Sequence, residues 1–245
     1  MMNVDVLAIF AHPDDLELSV GGTLLKLKSQ GYKTGALDVT RGEMGTRGTV
    51  EIRAGEARKA AEIMRLDVRE NLGLPDGHVW NDEESRIKLV RVLRRLRPRV
   101  IFTHQFQDPH PDHNHIVELV KESARLCSLK NYEPEEGLTE VRPAPIVAYT
   151  TFSRLVPPSF VVDVSDFAEE KMNALKAHAS QFYSENSADP QTTLSAKGFL
   201  DQIEARMFYY GSLIGVRAGE PFYVRETLNI EDPFQLLTRP MNLYS

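Results

Sequence analysis

The chain has 245 residues, of which 42% are hydrophobic and 26% are charged, and its formal net charge is -6. This composition is ordinary for a globular protein and excludes the disordered and fibrous classes. The length suits one large α/β domain, so we predict a single domain over residues 1–245. The negative charge argues against general nucleic-acid binding, because neutralising phosphates requires clustered Lys and Arg side chains.

The sequence contains no apolar run of the roughly 20 residues that a membrane-spanning helix needs. The N-terminus also lacks the basic region and apolar core of a signal peptide. We therefore expect a cytoplasmic protein with no membrane partner. Cys127 is the only cysteine, so an internal disulfide is impossible and a thiolate zinc site is excluded. Any metal must be held by histidines and carboxylates.

Short apolar runs alternate with amphipathic segments, which predicts a mostly parallel sheet flanked by helices. In the first 130 residues, the core of the domain, we predict strands at 4–10, 33–39, 68–72 and 100–103. The helices between and after them are predicted at 19–30, 50–64, from a cap at Asn81 or Asp82 to 96, and at 116–126. Residues 131–245 are predicted to form a strand and helix extension that covers the site, with strands at 146–150 and 160–164 and helices at 166–178 and 196–210.

A cluster of ionisable side chains follows the first predicted strand. Residues 11–17 read AHPDDLE and place one imidazole and three carboxylates at the carboxyl end of that strand. In open α/β sheets ligands bind at this edge. Ionisable groups beside a buried strand must be paired, hydrogen-bonded or bound to metal. The segment therefore predicts a divalent metal site.

The strand at 100–103 ends in a second cluster of the same kind, over residues 104–115. Parallel strands joined by helices place their carboxyl ends at one edge, so the two clusters are expected to face one another. Either cluster alone is equally compatible with helix capping by Asp14, Asp15, Ser19 or Asp112. Their shared position favours metal binding over capping.

A hydrolytic zinc ion takes three protein ligands and keeps one position open for water. His12 and Asp15 lie three positions apart on a turn and can point the same way, so they are suited to be two of these ligands. His113 is preferred as the third. Asp14 then projects towards the open position as a general base. Spacing alone permits the exchange of Asp14 with Asp15, or of His110 with His113.

Further charged residues come from the loop after the second strand and from the helix behind it. Arginine suits the binding of carboxylate or phosphate groups, so the predicted substrate-binding residues are Arg41, Glu43, Arg47 and Arg53. For Arg53 a solvated helix charge is the simpler interpretation. Glu17 is expected to accept a hydrogen bond from a ligand histidine or to cap the first helix. Packing or surface positions are expected for His104, His115 and His178, and a turn position for His78.

The AHPDDLE segment together with HPDH at residues 110–113 resembles the LmbE/PIG-L-like superfamily of zinc-dependent N-acetylglucosamine deacetylases. The segments at 41–49, 180–182 and 204–206 further resemble the branch that acts in bacillithiol biosynthesis. The resemblance implies a Rossmann-like fold with zinc, or ferrous iron in the cell, held by His12, Asp15 and His113. It also implies Asp14 as the general base, His110 facing the oxyanion and Asp112 orienting His110.

The function implied by this resemblance is removal of the acetyl group from N-acetyl-alpha-D-glucosaminyl L-malate, in an enzyme that forms a homo-oligomer, often a hexamer. One or more of Arg41, Arg47 and Arg53 would then pair with the malyl carboxylates. Two alternatives are a deacetylase of another sugar, such as diacetylchitobiose, and a non-catalytic zinc- or sugar-binding protein. Dinucleotide-binding and P-loop enzymes are disfavoured, since the first turn lacks G-x-G-x-x-G and the chain lacks G-x-x-x-x-G-K-[ST].

Overall fold

The computed structural model describes residues 3–151, 157–185, 188–232, 234 and 238. The strands of this part are β1 (Val6–Phe10), β2 (Thr34–Asp38), β3 (Val68–Asn71), β4 (Val100–Thr103), β5 (Ile146–Thr150), β6 (Phe160–Asp163) and β7 (Gly219–Val224). Its helices are α1 (Asp15–Ser29), α2 (Val50–Ile63), α3 (Glu83–Leu96), α4 (Pro111–Leu126), α5 (Ala168–Lys176) and α6 (Phe199–Ser212). A short 3-10 turn (Ser165–Phe167) precedes α5.

The strands form one sheet in the order β3-β2-β1-β4-β5-β7-β6. Strands β1 to β5 are parallel, whereas β7 runs antiparallel to both β5 and β6. The prediction of a Rossmann-like, mostly parallel sheet is therefore confirmed. The order of connections reverses between β1 and β4, and this switch point is where α/β folds bind ligands.

Strand β1 is buried along its whole length, and its side chains alternate between two layers. Leu7 and Ile9 belong to the apolar core that contains residues of α3 and α4, and Ala8 and Phe10 belong to the core that contains residues of α1. Because both faces of the strand are covered, the ionisable groups lie at its ends, and the cluster at residues 11–17 follows Phe10. The fold thus concentrates them at the carboxyl end of β1.

Two helices begin earlier than predicted. Helix α1 starts at Asp15 rather than at Ser19, and α4 starts at Pro111 rather than at Ile116. Proline suits the first turn of a helix because backbone N–H groups have no acceptor within the helix there, so its lack of an N–H costs no hydrogen bond. Both ionisable clusters consequently lie in or just before the first turn of a helix, which fixes the directions of their side chains.

Residues after 130 complete the sheet and cover one side of the predicted site. Strand β7 was not predicted, since Gly219 and Pro221 weaken the pattern of a strand. Thr193, Leu194 and Phe199 line a cleft that the two ionisable clusters also line, which confirms the covering extension. In the part of the chain that the structure describes, no helix has the length and apolarity needed to cross a bilayer.

Candidate metal centre

His12, Asp15 and His113 bring three ligand atoms together at the carboxyl ends of β1 and β4. Nδ1 of His12 lies 3.1 Å from Oδ2 of Asp15, which lies 3.3 Å from Nε2 of His113. The two nitrogens are 3.4 Å apart. Tetrahedral zinc with bonds of about 2.0–2.1 Å separates its ligand atoms by about 3.3 Å. The triangle therefore has the size that a tetrahedral zinc ion requires.

The outer nitrogen of each of these histidines faces a carboxylate. Nε2 of His12 lies 3.0 Å from Oδ1 of Asp76, and Nδ1 of His113 lies 3.0 Å from Oδ1 of Asp108. A carboxylate in this position keeps the proton on the outer nitrogen and leaves the lone pair of the inner nitrogen for a metal. Three acceptor atoms this close together need a cation or shared protons between them. The donor set thus fits a divalent metal.

The same carboxylates control the protonation of the histidines. Burial by itself would lower the pKa of His113, but Asp15 and Asp108 outweigh burial and raise it to about 9. Burial also opposes protonation of His12, yet the carboxylates of Asp112, Asp15 and Asp76 raise its pKa well above the usual value. The surroundings of this triangle therefore favour positive charge at its centre, which is the property that a cation site requires.

Asp14 is buried next to the triangle and has an unusual backbone conformation. Its φ angle of 124° lies in a region that L-residues rarely adopt. Its carboxylate lies 3.2 Å from Nη2 of Arg53 and forms no capping bond with α1. Burial and repulsion from Asp15 raise the pKa of Asp14 to about 6, although Arg53 opposes the shift. A carboxyl group of this kind is suited to exchanging protons near neutral pH.

His110 is the N-cap of α4 and borders the triangle. Its ring centroid is 4.8 Å from that of His12 and 4.7 Å from that of His113. Nδ1 accepts the backbone N–H of Asp112 at 3.3 Å, so a neutral ring carries its proton on Nε2. Contrary to the expected pairing, the Asp112 carboxylate accepts the N–H groups of Gly77 and Val79 and lies 3.7 Å from His12. The backbone N–H of Asp112, rather than its carboxylate, therefore orients His110.

Among the residues that the structure describes, two overlapping groups could hold a metal, and both include His12. The second group pairs His12 with His110 and Asp112, and its ligand atoms also lie within 4.8 Å of one another. In that group the His12 nitrogen that lies 3.7 Å from Asp112 is Nε2, which Asp76 already contacts at 3.0 Å. The compact triangle with Asp15 and His113 is the better site.

The other histidines have separate positions. His104 is buried beneath the site, where Nε2 accepts the N–H of Ala11 at 2.9 Å and the ring stacks on His113 with centroids 3.8 Å apart. His115 stacks on Trp80. His104 therefore packs, as expected, but it packs against His113 of the ligand triangle.

The structure places the predicted substrate-binding residues in three different environments. Arg41 is exposed and lines a separate groove, which Pro13 also lines. Arg47 and Arg53 are buried and donate to protein carbonyl groups, so the interpretation of Arg53 as a solvated helix charge is wrong. The carboxylate of Glu43 accepts the backbone N–H groups of Arg41 and Asp76 and thereby shapes the loop.

Glu17 does not contact a ligand histidine, contrary to the expectation. It is fully buried, accepts a 2.5 Å hydrogen bond from Arg69 and lies 3.3 Å from Nε2 of His178. Arg69 also donates two hydrogen bonds to the Asp38 carboxylate. The residues that do support the ligand histidines, Asp76 and Asp108, were missed by the sequence reasoning. Their positions in Pro75-Asp76-Gly77 and just before Pro109, in turns at the same sheet edge, were the available signal.

A cleft of about 380 Å³ adjoins the ligand triangle. Asp15, His110 and His113 line the cleft. Thr193, Leu194 and Phe199, from the C-terminal part of the chain, line it as well. Small-molecule sites have volumes of about 300–1,000 Å³. The cleft is therefore large enough for a sugar-sized molecule to contact the metal centre.

A two-histidine, one-carboxylate triangle beside a buried carboxylate, at a sheet-edge cleft, is an arrangement that metal-dependent hydrolases use. The family described as GlcNAc-PI de-N-acetylase, PIG-L, matches residues 7–124, which include both ionisable clusters. Diacetylchitobiose deacetylase of Thermococcus kodakarensis is 33% identical over 190 residues, which are 72% of this chain and 70% of that protein. The chain belongs to the PIG-L family of deacetylases.

Two further proteins extend the comparison. A probable N-acetyl-alpha-D-glucosaminyl L-malate deacetylase 2 of Bacillus cereus is 29% identical, over 74% of this chain and 84% of that protein. The crystal structure of the conserved protein TT1542 from Thermus thermophilus superposes with a TM-score of 0.83 at 37% identity, covering 94% of this chain and 98% of that one. The fold is thus shared over nearly the full length of the chain.

Proposed function

We propose that this protein hydrolyses the acetamide group of an N-acetylglucosamine derivative and releases acetate and the free amino sugar. The observation that carries the proposal is the ligand triangle of His12, Asp15 and His113 with the buried carboxylate of Asp14 beside it. Membership of the PIG-L family supports the same chemistry. A protein that only bound a sugar or zinc would have no use for a strained, buried carboxylate next to the ligands.

His12, Asp15 and His113 would hold the metal, for which zinc is proposed and ferrous iron is an alternative in the cell. A zinc ion in such a site lowers the pKa of water from about 16 to about 7 and polarises a carbonyl oxygen. Asp76 and Asp108 hold the imidazole rings of His12 and His113 in the orientation that metal binding would require. Asp15 and His113 line the cleft, so a metal held there would be accessible to water and substrate.

Asp14 is proposed to accept a proton from the attacking water as the water oxygen bonds to the acetyl carbon. The carbonyl oxygen then becomes negatively charged, and the N–H on Nε2 of His110 donates to it. Removing a donor of this kind typically costs about 3–4 kcal/mol of transition-state stabilisation. Since Nδ1 of His110 is occupied by a backbone N–H, Asp14 is the proposed carrier of the proton to the departing nitrogen. The C–N bond then breaks, which yields the amine and acetate.

The group attached to the sugar is proposed to be a second N-acetylglucosamine or a malate. The malate proposal follows the resemblance of residues 41–49 to the bacillithiol branch and the 29% identity with the Bacillus protein. The disaccharide proposal follows the 33% identity with diacetylchitobiose deacetylase. The burial of Arg47 and Arg53 leaves Arg41 as the exposed member of the three predicted arginines, which weakens the argument for two malyl carboxylates.

An amine-release assay tests these proposals directly. Purified protein loaded with Zn²⁺ is expected to release amine and acetate in equal amounts from one or both substrates, and removal of the metal with a chelator should abolish the reaction. The substrate with the higher kcat/KM identifies the attached group. A metal-loaded sample that leaves every N-acetyl sugar intact would overturn the proposed activity.

We also propose that residues 1–245 act as one domain, because β7 pairs with β5 and residues 193–199 line the same cleft as the ligands. Assembly into a homo-oligomer, with a hexamer as the first candidate, remains a prediction from the family resemblance. Light scattering of the purified protein measures the molar mass and tests it.

A further inference from the structure

Arg47 is buried, with 5% of its surface exposed, in the loop between β2 and α2. Nε donates to the carbonyl of Ser180 at 2.9 Å, and Nη2 lies 3.4 Å from the carbonyl of Phe182. Nη1 donates to Pro190 at 3.2 Å and to Asp189 at 3.4 Å. One guanidinium group therefore binds two separate stretches of the C-terminal segment, at 180–182 and at 189–190.

The contact is reciprocal, because the C-terminal segment also donates to the loop and to the helix after it. Nε2 of Gln181 donates to the carbonyl of Arg47 at 2.7 Å, and the backbone N–H of Ser180 donates to Glu56 at 2.6 Å. Gly48 has a φ angle of 73°, and a Cβ atom there would lie 2.6 Å from Oγ of Ser180. The two segments are therefore packed too closely for a side chain between them.

The chain beyond Pro190 forms one wall of the cleft. The backbone N–H groups of Thr192 and Ser195 each donate to the hydroxyl group of the other residue, at 2.7 Å and 3.2 Å, which closes a tight turn. Thr193 and Leu194, inside this turn, line the cleft with His110. The turn begins two residues after Pro190, so the contacts of Arg47 hold the chain immediately before this wall.

The loop that carries Arg47 also reaches the metal centre. The N–H of Met44 donates to Oδ2 of Asp76 at 2.9 Å, and Oδ1 of the same carboxylate lies 3.0 Å from His12. The same loop thus contacts Asp76, which supports His12, and also the segment that precedes the cleft wall.

We propose that Arg47 is a positioning residue that sets substrate selectivity by fixing residues 193–194 opposite the metal centre. The proposal rests on the proposed function, in which this cleft receives an acetylated sugar. Arg47 acts through the wall and not by direct contact with substrate. Its loss should weaken the binding of a disaccharide, which reaches the wall, more than that of N-acetylglucosamine alone.

Arg94 provides a matched control elsewhere in the molecule. It is also a buried arginine, and it donates to four carbonyl groups, those of Cys127, Leu129, Tyr132 and Glu133. None of these residues lines the cleft. Replacing either arginine by methionine removes a comparable number of hydrogen bonds, but only Arg47 is connected to the wall.

The test compares R47M, R47K and R94M as zinc-loaded enzymes, with N-acetylglucosamine and with diacetylchitobiose. R47M should raise KM for the disaccharide about tenfold or more, which corresponds to the loss of one or two ordinary hydrogen bonds. Its kcat and zinc content should stay near the values of the natural protein. R47K should lie between R47M and the natural protein, since lysine keeps the charge but not the planar donor geometry. R94M should lower Tm without raising KM.

Limited proteolysis with mass-spectrometric mapping provides a readout that does not require turnover. R47M and R47K should be cleaved near Asp189 faster than the natural protein, and R94M near Glu133. If the natural protein turns over no acetylated sugar, the proposed function fails while this measurement still reports on the contacts of Arg47. Unchanged cleavage near Asp189 in R47M would overturn the inference, as would a fall in kcat at constant KM or an equal rise of KM in R94M.

Discussion

Nδ1 of His12 lies 3.4 Å from Nε2 of His113, although 101 positions separate the two residues in the sequence. The sheet order explains the proximity, because β1 and β4 are parallel neighbours and each histidine follows one of them. Asp15 completes the triangle from the first turn of α1. The site is therefore a direct consequence of the switch point between these two strands.

Metal binding should stabilise the folded protein. At a free Zn²⁺ concentration of 100 times the dissociation constant, the gain in unfolding free energy is about 2.7 kcal/mol. For a chain of this size the corresponding rise in Tm is about 5–10 °C. We expect this rise on adding Zn²⁺ to chelator-treated protein, measured by calorimetry. H113A should abolish it, whereas H78A, which changes an exposed histidine outside the triangle, should retain it. A full rise in H113A would exclude His113 as a ligand.

Replacement of Asp14 and of Asp15 should have different effects. D14N removes the proposed proton acceptor and should lower kcat by about 10²–10⁴-fold while bound zinc stays stoichiometric. D15N removes one vertex of the ligand triangle and should lose zinc as well as activity. Metal content is measured by atomic emission alongside the amine-release assay. Loss of zinc in D14N with retention in D15N would show that the two roles are exchanged.

The strand and helix order was predictable because β1, β4 and β5 are short apolar runs followed by clear breaks. Predicted and observed bounds agree fully for β4 and β5. The starts of α1 and α4 were placed late, since the ionisable residues of their first turns do not show the apolar periodicity of a helix. The proximity of His12, Asp15 and His113 was predictable, because a polar cluster after a buried strand is visible without knowledge of distant contacts. Spacing alone left Asp14 and His110 as alternatives to Asp15 and His113.

The supporting contacts were less predictable, because each depends on a partner far away in the sequence. Arg53 reads as a solvated charge on an Ala- and Glu-rich helix, yet it is buried against Asp14 and the carbonyl of Pro13. Asp76 and His12 are 64 positions apart and meet only through the placement of the loop after β3. The pattern of a single helix or turn carries no information about such pairs.

The thiol of Cys127 should react slowly in the folded protein. It is fully buried and lies 3.2 Å from the carbonyl of Ala124, and burial raises its pKa to about 11. At pH 8 the reactive thiolate is then about a hundredfold scarcer than for an ordinary cysteine, and it becomes more abundant as the pH rises towards 11. We expect iodoacetamide to label Cys127 at pH 8 only after addition of denaturant, as measured by mass spectrometry.

An engineered cysteine at an exposed position serves as the control for this labelling. Ser184 is exposed, so S184C should be labelled within minutes under conditions in which Cys127 is not. Equal rates at the two positions would contradict the burial of Cys127. The raised pKa of Cys127 also makes stability depend on pH. Above the unfolded pKa of about 9 the thiol ionises more readily in the unfolded chain than in the folded one. The stability that the neutral thiol contributes below pH 9 should therefore be lost as the pH rises towards 11.

Arg69 should be the most important single charge for stability in the layer beneath the site. Its side chain is 7% exposed, and it donates to the buried carboxylates of Glu17 and Asp38 at 2.5–3.0 Å. R69M leaves both carboxylates buried without their cation, a change that typically costs about 3–5 kcal/mol. The expected fall in Tm is about 6–20 °C. Calorimetry of the natural and variant proteins measures it.

Arg65 is the matched control for this prediction, since it is another arginine that contacts a carboxylate through two nitrogens. Its side chain is 54% exposed, and its hydrogen bonds to Glu170 lie at the surface. R65M should therefore cost less than about 1 kcal/mol, because solvent screens exposed ion pairs. If R69M and R65M lowered Tm equally, the buried group of Glu17, Arg69 and Asp38 would not be the stabilising feature that its geometry indicates.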